Sequence, residues 1–108
     1  MATIQVSRYQ SADGRIPFTE WIATLRDRRA NQAIAARILR MQAGNRGDWK
    51  ALGAGVFELR IDTGPGYRLY CGQDGATLVL LLCAGDKRTQ AKDIERAHDY
   101  WKDYQARR

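Results

Sequence analysis

Histidine and cysteine are scarce here: one histidine (His98) and two cysteines (Cys71, Cys83) in 108 residues. That scarcity excludes several kinds of chemistry. A serine or cysteine nucleophile needs a histidine partner, and His98 lies mid-helix beside Asp99, where it reads as a surface residue. Two cysteines and one histidine without close spacing do not make a zinc site. Nor do two cysteines inside apolar, strand-like segments make a disulfide framework, which takes more of them, placed in loops. They read as buried thiols. No metal and no cofactor is expected. Long apolar runs are also missing. The longest, Leu78 to Ala84, suits a buried strand and falls far short of the roughly 18–20 residues that a membrane helix needs. The start, Met1-Ala2-Thr3-Ile4-Gln5, lacks the basic beginning and apolar middle of a signal peptide. A cytoplasmic protein without membrane contact is expected.

What the chain does have is positive charge. Lysine and arginine number 18 against 12 aspartates and glutamates, a net charge of +6. Such a surface attracts polyanions such as nucleic acid, or an acidic protein partner, although charge alone does not choose between them. The length suits one domain, 1–108, with one hydrophobic core.

Residues 3–9 are β-rich and read as a first strand, and Ser11-Ala12-Asp13-Gly14 is turn chemistry. Pro17 opens a helix in which Phe18, Trp21, Ile22 and Leu25 recur at helical spacing. A second helix is expected from about Asn31 to Gln42, with Ile34, Ile38 and Met41 inward and Gly44-Asn45 as its stop. The period then changes. Val56 to Asp62 alternates, Thr63-Gly64-Pro65-Gly66 turns, and Tyr67 to Cys71 alternates again. Asp74-Gly75 signals a hairpin. Thr77 to Cys83 is apolar on both sides, as befits a central strand. After Gly85-Asp86-Lys87-Arg88, Thr89 can cap a last helix with Ile94, Ala97, Trp101 and Tyr104 on one stripe. The fold class is therefore α+β: β-α-α, a three-stranded antiparallel meander and a C-terminal helix. A further short strand around Trp49 to Leu52 is less clearly marked.

Register carries this reading toward function. A hairpin that keeps its apolar residues together pairs Leu59 with Leu69 and Phe57 with Cys71. The same register sets Arg60 opposite Arg68 and Glu58 opposite Tyr70. Directly opposed like charges are unfavourable in a sheet unless an anion or carboxylate lies between them. Glu58 can partly neutralise the pair, and so can a phosphate, which matches the arginine fork. The three residues also read as a solvated sheet face closed by an ion pair. Lys87 and Arg88 follow the central strand at the mouth of the last helix, whose free N–H groups favour anions; they also read as an ordinary exposed loop. Tyr70 shares the arginines' face, where its ring can stack on a base or its hydroxyl can serve a reaction. Gly64-Pro65-Gly66 lacks the Lys-Ser/Thr of a nucleotide-binding loop. Asp93 and Glu95, two apart on a helix, diverge.

Several motifs occur in a characteristic order: Gly55-Val56-Phe57-Glu58-Leu59-Arg60, then Gly64-Pro65-Gly66-Tyr67-Arg68-Leu69-Tyr70, then Leu80-Leu81-Leu82-Cys83-Ala84-Gly85-Asp86-Lys87, then Thr89-Gln90 with Asp93-Ile94. With Phe18-Thr19-Glu20-Trp21 and Tyr100-Trp101, this pattern resembles the phage-derived HigB-like branch of the RelE/ParE toxin superfamily, the addiction module killer proteins. Ala84 departs from it, standing where the branch commonly has glycine. The resemblance implies a RelE-like fold and the toxin role in a type II toxin–antitoxin pair. Members of the RelE/HigB group enter the ribosomal A site and cleave mRNA as metal-independent endoribonucleases, and a cognate antitoxin, often a helix-turn-helix protein, neutralises them. The ribose 2′-hydroxyl attacks the neighbouring phosphate while cationic side chains stabilise its growing charge. By this resemblance Arg60 and Arg68 hold the scissile phosphate, Lys87 stabilises charge or protonates the leaving oxygen, and Tyr70 orients or stacks on a base. Lys50 and Arg88 are candidates for further RNA contacts. A ParE-like inhibitor that binds DNA gyrase, or an inactive nucleic-acid-binding relative, fits the same scaffold.

Overall fold

The computed structural model describes residues 3–108. Strand β1 (Gln5–Arg8) leads through a turn to helices α1 (Pro17–Thr24) and α2 (Arg28–Gln42). Four strands follow, β2 (Trp49–Gly53), β3 (Val56–Ile61), β4 (Tyr67–Asp74) and β5 (Leu78–Asp86), then a 3-10 turn (Lys87–Thr89) and helix α3 (Gln90–Arg107). The sheet order is β1-β5-β4-β3-β2, antiparallel except that β1 runs parallel to β5. The α+β class expected from the chain is the one observed. The meander has four strands, because the segment around Trp49 does pair, and β1 closes the opposite edge.

Alternation decides the layers. Phe57, Leu59, Ile61, Leu69, Cys71, Val79 and Leu81 face α1 and α2, where Phe18, Ile34 and Met41 complete one core. Val56, Tyr70, Leu80, Leu82 and Cys83 face α3, with Ala97 and Trp101. Pairing between β4 and β5 slips by one residue at Tyr70/Cys71. That β-bulge lets the consecutive Leu82 and Cys83 both join the α3 side.

Helix α2 begins three residues earlier than expected, because the Asp27 carboxylate accepts from the N–H groups of Arg29 (3.0 Å) and Ala30 (3.2 Å) and so caps it. Thr89 precedes α3 without capping it through its side chain. Its hydroxyl donates to Asp93 Oδ2 instead (2.5 Å). Both cysteines are buried and free, on opposite faces. No helix among the described residues is long and apolar enough to cross a membrane.

Trp101 locks α3 to the sheet. Its indole N–H donates to the Ala54 carbonyl (2.9 Å) and its ring lies directly on Gly72. A Cβ at Gly72 would stand 2.3 Å from the ring, so Gly72→Ala must push the helix away. Overpacking of this kind costs about 1–3 kcal/mol. Urea denaturation should show an unfolding free energy lowered by that amount, read as a lower midpoint at unchanged slope; an unchanged midpoint would show that α3 docks some other way.

Candidate functional site

The hairpin has the expected register: Phe57 pairs with Cys71, Glu58 with Tyr70, Leu59 with Leu69 and Arg60 with Arg68. Glu58 and Arg60, and across from them Tyr70 and Arg68, therefore share the face that α3 half covers. Glu58 is fully buried. Its Oε2 accepts from Arg60 Nε at 2.8 Å and lies 3.5 Å from Arg68 Nε, while Oε1 meets Gln90 Nε2 at 3.4 Å. One carboxylate thus holds both guanidinium groups from beneath. Arg68 is mostly covered, and Arg60 is about one-third open, with side-chain exposures of 11% and 35%. The bond to Glu58 raises the Arg60 pKa above its ordinary value, so its charge is permanent.

Lys50 extends the row. It pairs with Glu58 across β2 and β3, which places Lys50, Glu58 and Tyr70 at one level on three adjacent strands, with Lys50 exposed. Lys87 comes from the end of β5. Gly66, at a φ of +82° that suits glycine, leaves room for the lysine stem: a Cβ there would lie 2.9 Å from Lys87 Cε. The stem therefore lies along the β3–β4 turn, next to the strand position of Arg68. Lys87 forms no ion pair among the described residues.

Two candidates are placed differently from the rest. Tyr70 has no exposed surface. Its ring belongs to the core under α3, so it offers no face for stacking on a base in this conformation. Burial and the nearby Glu58 and Asp93 carboxylates push its hydroxyl well above the ordinary tyrosine range, which leaves it a proton donor at neutral pH. That hydroxyl and Arg68 Nε, both buried, have no hydrogen-bond partner among the described residues. Such donors cost about 1–3 kcal/mol each. Arg88 is 84% exposed and bound to Asp86 Oδ2 (2.9 Å), so its charge is locally matched, and unlike Arg60 and Arg68 it makes no contact with Glu58.

Three supporting residues have roles that the sequence did not assign, although Gln90 and Asp93 lie in the motifs of the resemblance. Gln90 reaches Glu58 from the first turn of α3. Asp93 is buried above Gly85, in space that any side chain there would occupy. Arg37 donates from α2 to the carbonyls of Arg46 (2.7 Å), Asp48 (2.9 Å) and Arg60, tying β3 and the start of β2 to the helix. Its place near the end of a basic helix gave no hint of that; only tertiary packing does. Among the described residues, no group of His, Cys, Asp and Glu side chains has a metal-binding arrangement.

The family model "Phage derived protein Gp49-like (DUF891)" matches residues 20–102. The chain belongs to the Gp49-like family. This family is associated with RelE-like addiction-module toxins. A Haemophilus influenzae protein described only as uncharacterized is 51% identical over 82 residues, covering 76% of this chain and 83% of that protein. The matched Gp49-like region contains all of the site residues described above.

If Glu58 holds the arginines together, Glu58→Gln should destabilise the fold by about 2 kcal/mol, in the range for a hydrogen bond to a charged group. Inorganic phosphate should raise the melting temperature of that variant more than that of the parent, by taking the missing counter-charge. Equal phosphate responses would show that the two arginines do not form one anion site.

Proposed function

We infer that this Gp49-like protein is the toxin of a type II toxin–antitoxin pair, and that it acts as an endoribonuclease on mRNA in the ribosomal A site. The observation that carries this reading is the Arg60–Arg68 pair, set face to face by strand register over one buried carboxylate with Lys87 folded alongside. A scissile phosphate would be held from the open side of the pair, where Arg60 is about one-third exposed. Arg60 has terminal nitrogens to offer, since only its Nε is bonded to Glu58 among the described residues.

In the reaction, the ribose 2′-oxygen attacks phosphorus and the bond to the 5′-oxygen breaks, leaving a 2′,3′-cyclic phosphate and a 5′-hydroxyl. Arg60 and Arg68 would stabilise the negative charge that grows on the phosphoryl oxygens, in a site partly shielded from water by α3. Fixed donors of this kind usually supply the largest catalytic effect. Lys87 would add charge or deliver a proton to the leaving oxygen. Lys50 would contact a neighbouring phosphate. Tyr70, enclosed beneath the pair, would act by packing under Glu58 and Arg68 and not by stacking on a base. The helix-turn-helix antitoxin partner belongs to the same reading, as does a cytoplasmic location.

Arg60→Ala, Arg68→Ala and Lys87→Ala are each expected to abolish growth inhibition on induced expression while circular dichroism still reports a folded protein. Primer extension should map cuts in translated mRNA that vanish when initiation is blocked. Full toxicity in all three variants would overturn the site. Gyrase-linked DNA breaks without mRNA cleavage would establish a ParE-like inhibitor instead, and RNA binding without cleavage an inactive relative.

A further inference from the structure

Three arginines surround the start of α2. Arg28 and Arg29 are its first two residues, Arg26 precedes the Asp27 cap, and the first turn contains no acidic side chain. All three arginines are exposed and none forms an ion pair among the described residues. This arrangement runs against the helix macrodipole, whose positive end disfavours cations. Asp27 already satisfies the free N–H groups of Arg29 and Ala30, so the backbone is not waiting for a ligand. The guanidinium groups, exposed and without an ion pair among the described residues, have no such partner.

Their location gives the cluster meaning. A Cβ at Gly64 would lie 3.9 Å from Asp27 Oδ2, which puts the α1–α2 corner against the β3–β4 turn. The stem of Lys87 packs on Gly66 of that same turn. One four-residue turn therefore separates the α2 arginines on one side of the sheet from Lys87, Arg68 and Arg60 on the other. Asp27 is engaged in its cap, Asp86 with Arg88 and Glu58 with the arginine pair. Asp48 and Asp62 are exposed and form no ion pair among the described residues, and Asp48, beside Arg60, adds to Glu58 in raising its pKa.

We propose that Arg26, Arg28 and Arg29 form a second phosphate-binding site that takes the backbone of the same single-stranded RNA as it bends round the end of the sheet. This rests on the ribonuclease reading above, which it extends from one phosphate to a track. Phosphate suits the patch better than a partner helix, because its exposed centre has no apolar side chain: Leu39, the large apolar residue left open on α2, is at the helix's other end.

The test uses the intact protein and two uncleavable 2′-O-methyl RNA probes, a dinucleotide and a single strand of about twelve nucleotides, a length within the usual range of single-strand sites. The triple variant Arg26→Ala, Arg28→Ala, Arg29→Ala should bind the long probe about tenfold more weakly, and its log–log salt dependence should shrink by about 2, near 0.7 for each lost phosphate contact. Dinucleotide affinity should stay as in the parent. The corresponding triple lysine variant, which keeps the charges, should keep the salt slope.

An unchanged slope and affinity in the alanine variant, or no binding of the long probe by the parent at low salt, overturns the proposal. Loss of affinity for polyglutamate but not for RNA also overturns it, in favour of an acidic protein partner. Failure of the ribonuclease reading looks different: Arg60→Ala would then leave the affinity of both probes unchanged, whatever the α2 variants do.

Discussion

The site depends on a carboxylate held out of water. Glu58 sits in the middle of the sheet, fully enclosed, and bonds or approaches two arginines and a glutamine from three separate stretches of chain. Burying one charge alone would be prohibitive, and burying two like charges side by side would be worse. Together the three charges leave a net positive centre whose Arg60 end faces solvent. The arrangement is tolerable only because the strands fix the groups at one register. Covalent topology does here what a bound ion does elsewhere.

This explains the division of labour between the two faces. The α1–α2 side is an ordinary apolar core, built from residues that alternate along β3 and β4. The α3 side is mixed. Its lower half is closed by Trp101 on Gly72, and its upper half, where α3 starts, holds the charged cluster together with the buried Asp93 and the enclosed Tyr70. Arg37 braces β3 from behind by donating to its Arg60 carbonyl. Pressure on the site from either side is therefore passed to helices already fixed in the core.

Much of this was legible in the chain before its fold was seen. The pairing of Arg60 with Arg68 follows from apolar alternation and a turn of fixed length, because a slip by one residue would expose a whole face. Helix α1 was marked by Pro17 and by the spacing of Phe18, Trp21 and Leu25. What stayed hidden depended on contacts between distant segments. The burial of Tyr70 follows from a helix crossing above it, and the parallel pairing of β1 with β5 leaves no local mark. The start of α2 was hidden for another reason. Asp27 lies among arginines, and a basic run reads as loop until its capping bonds are seen. Arg88, read from the sequence as a further RNA contact beside Lys87, has its charge taken by Asp86, two residues before it.

One consequence concerns which molecule has to change shape. Arg60 and Arg68 stand on inner strands of the sheet, locked to neighbours on both sides, and Lys87 leans on a turn that closes the same hairpin. Groups mounted on strands rather than on loops have little freedom to close around a ligand. The cationic end behaves as a fixed die: a polymer pressed on it takes the die's curvature. On the function proposed above, selectivity at such a surface would come from how readily each RNA sequence bends, a property of the polymer's own backbone and stacking.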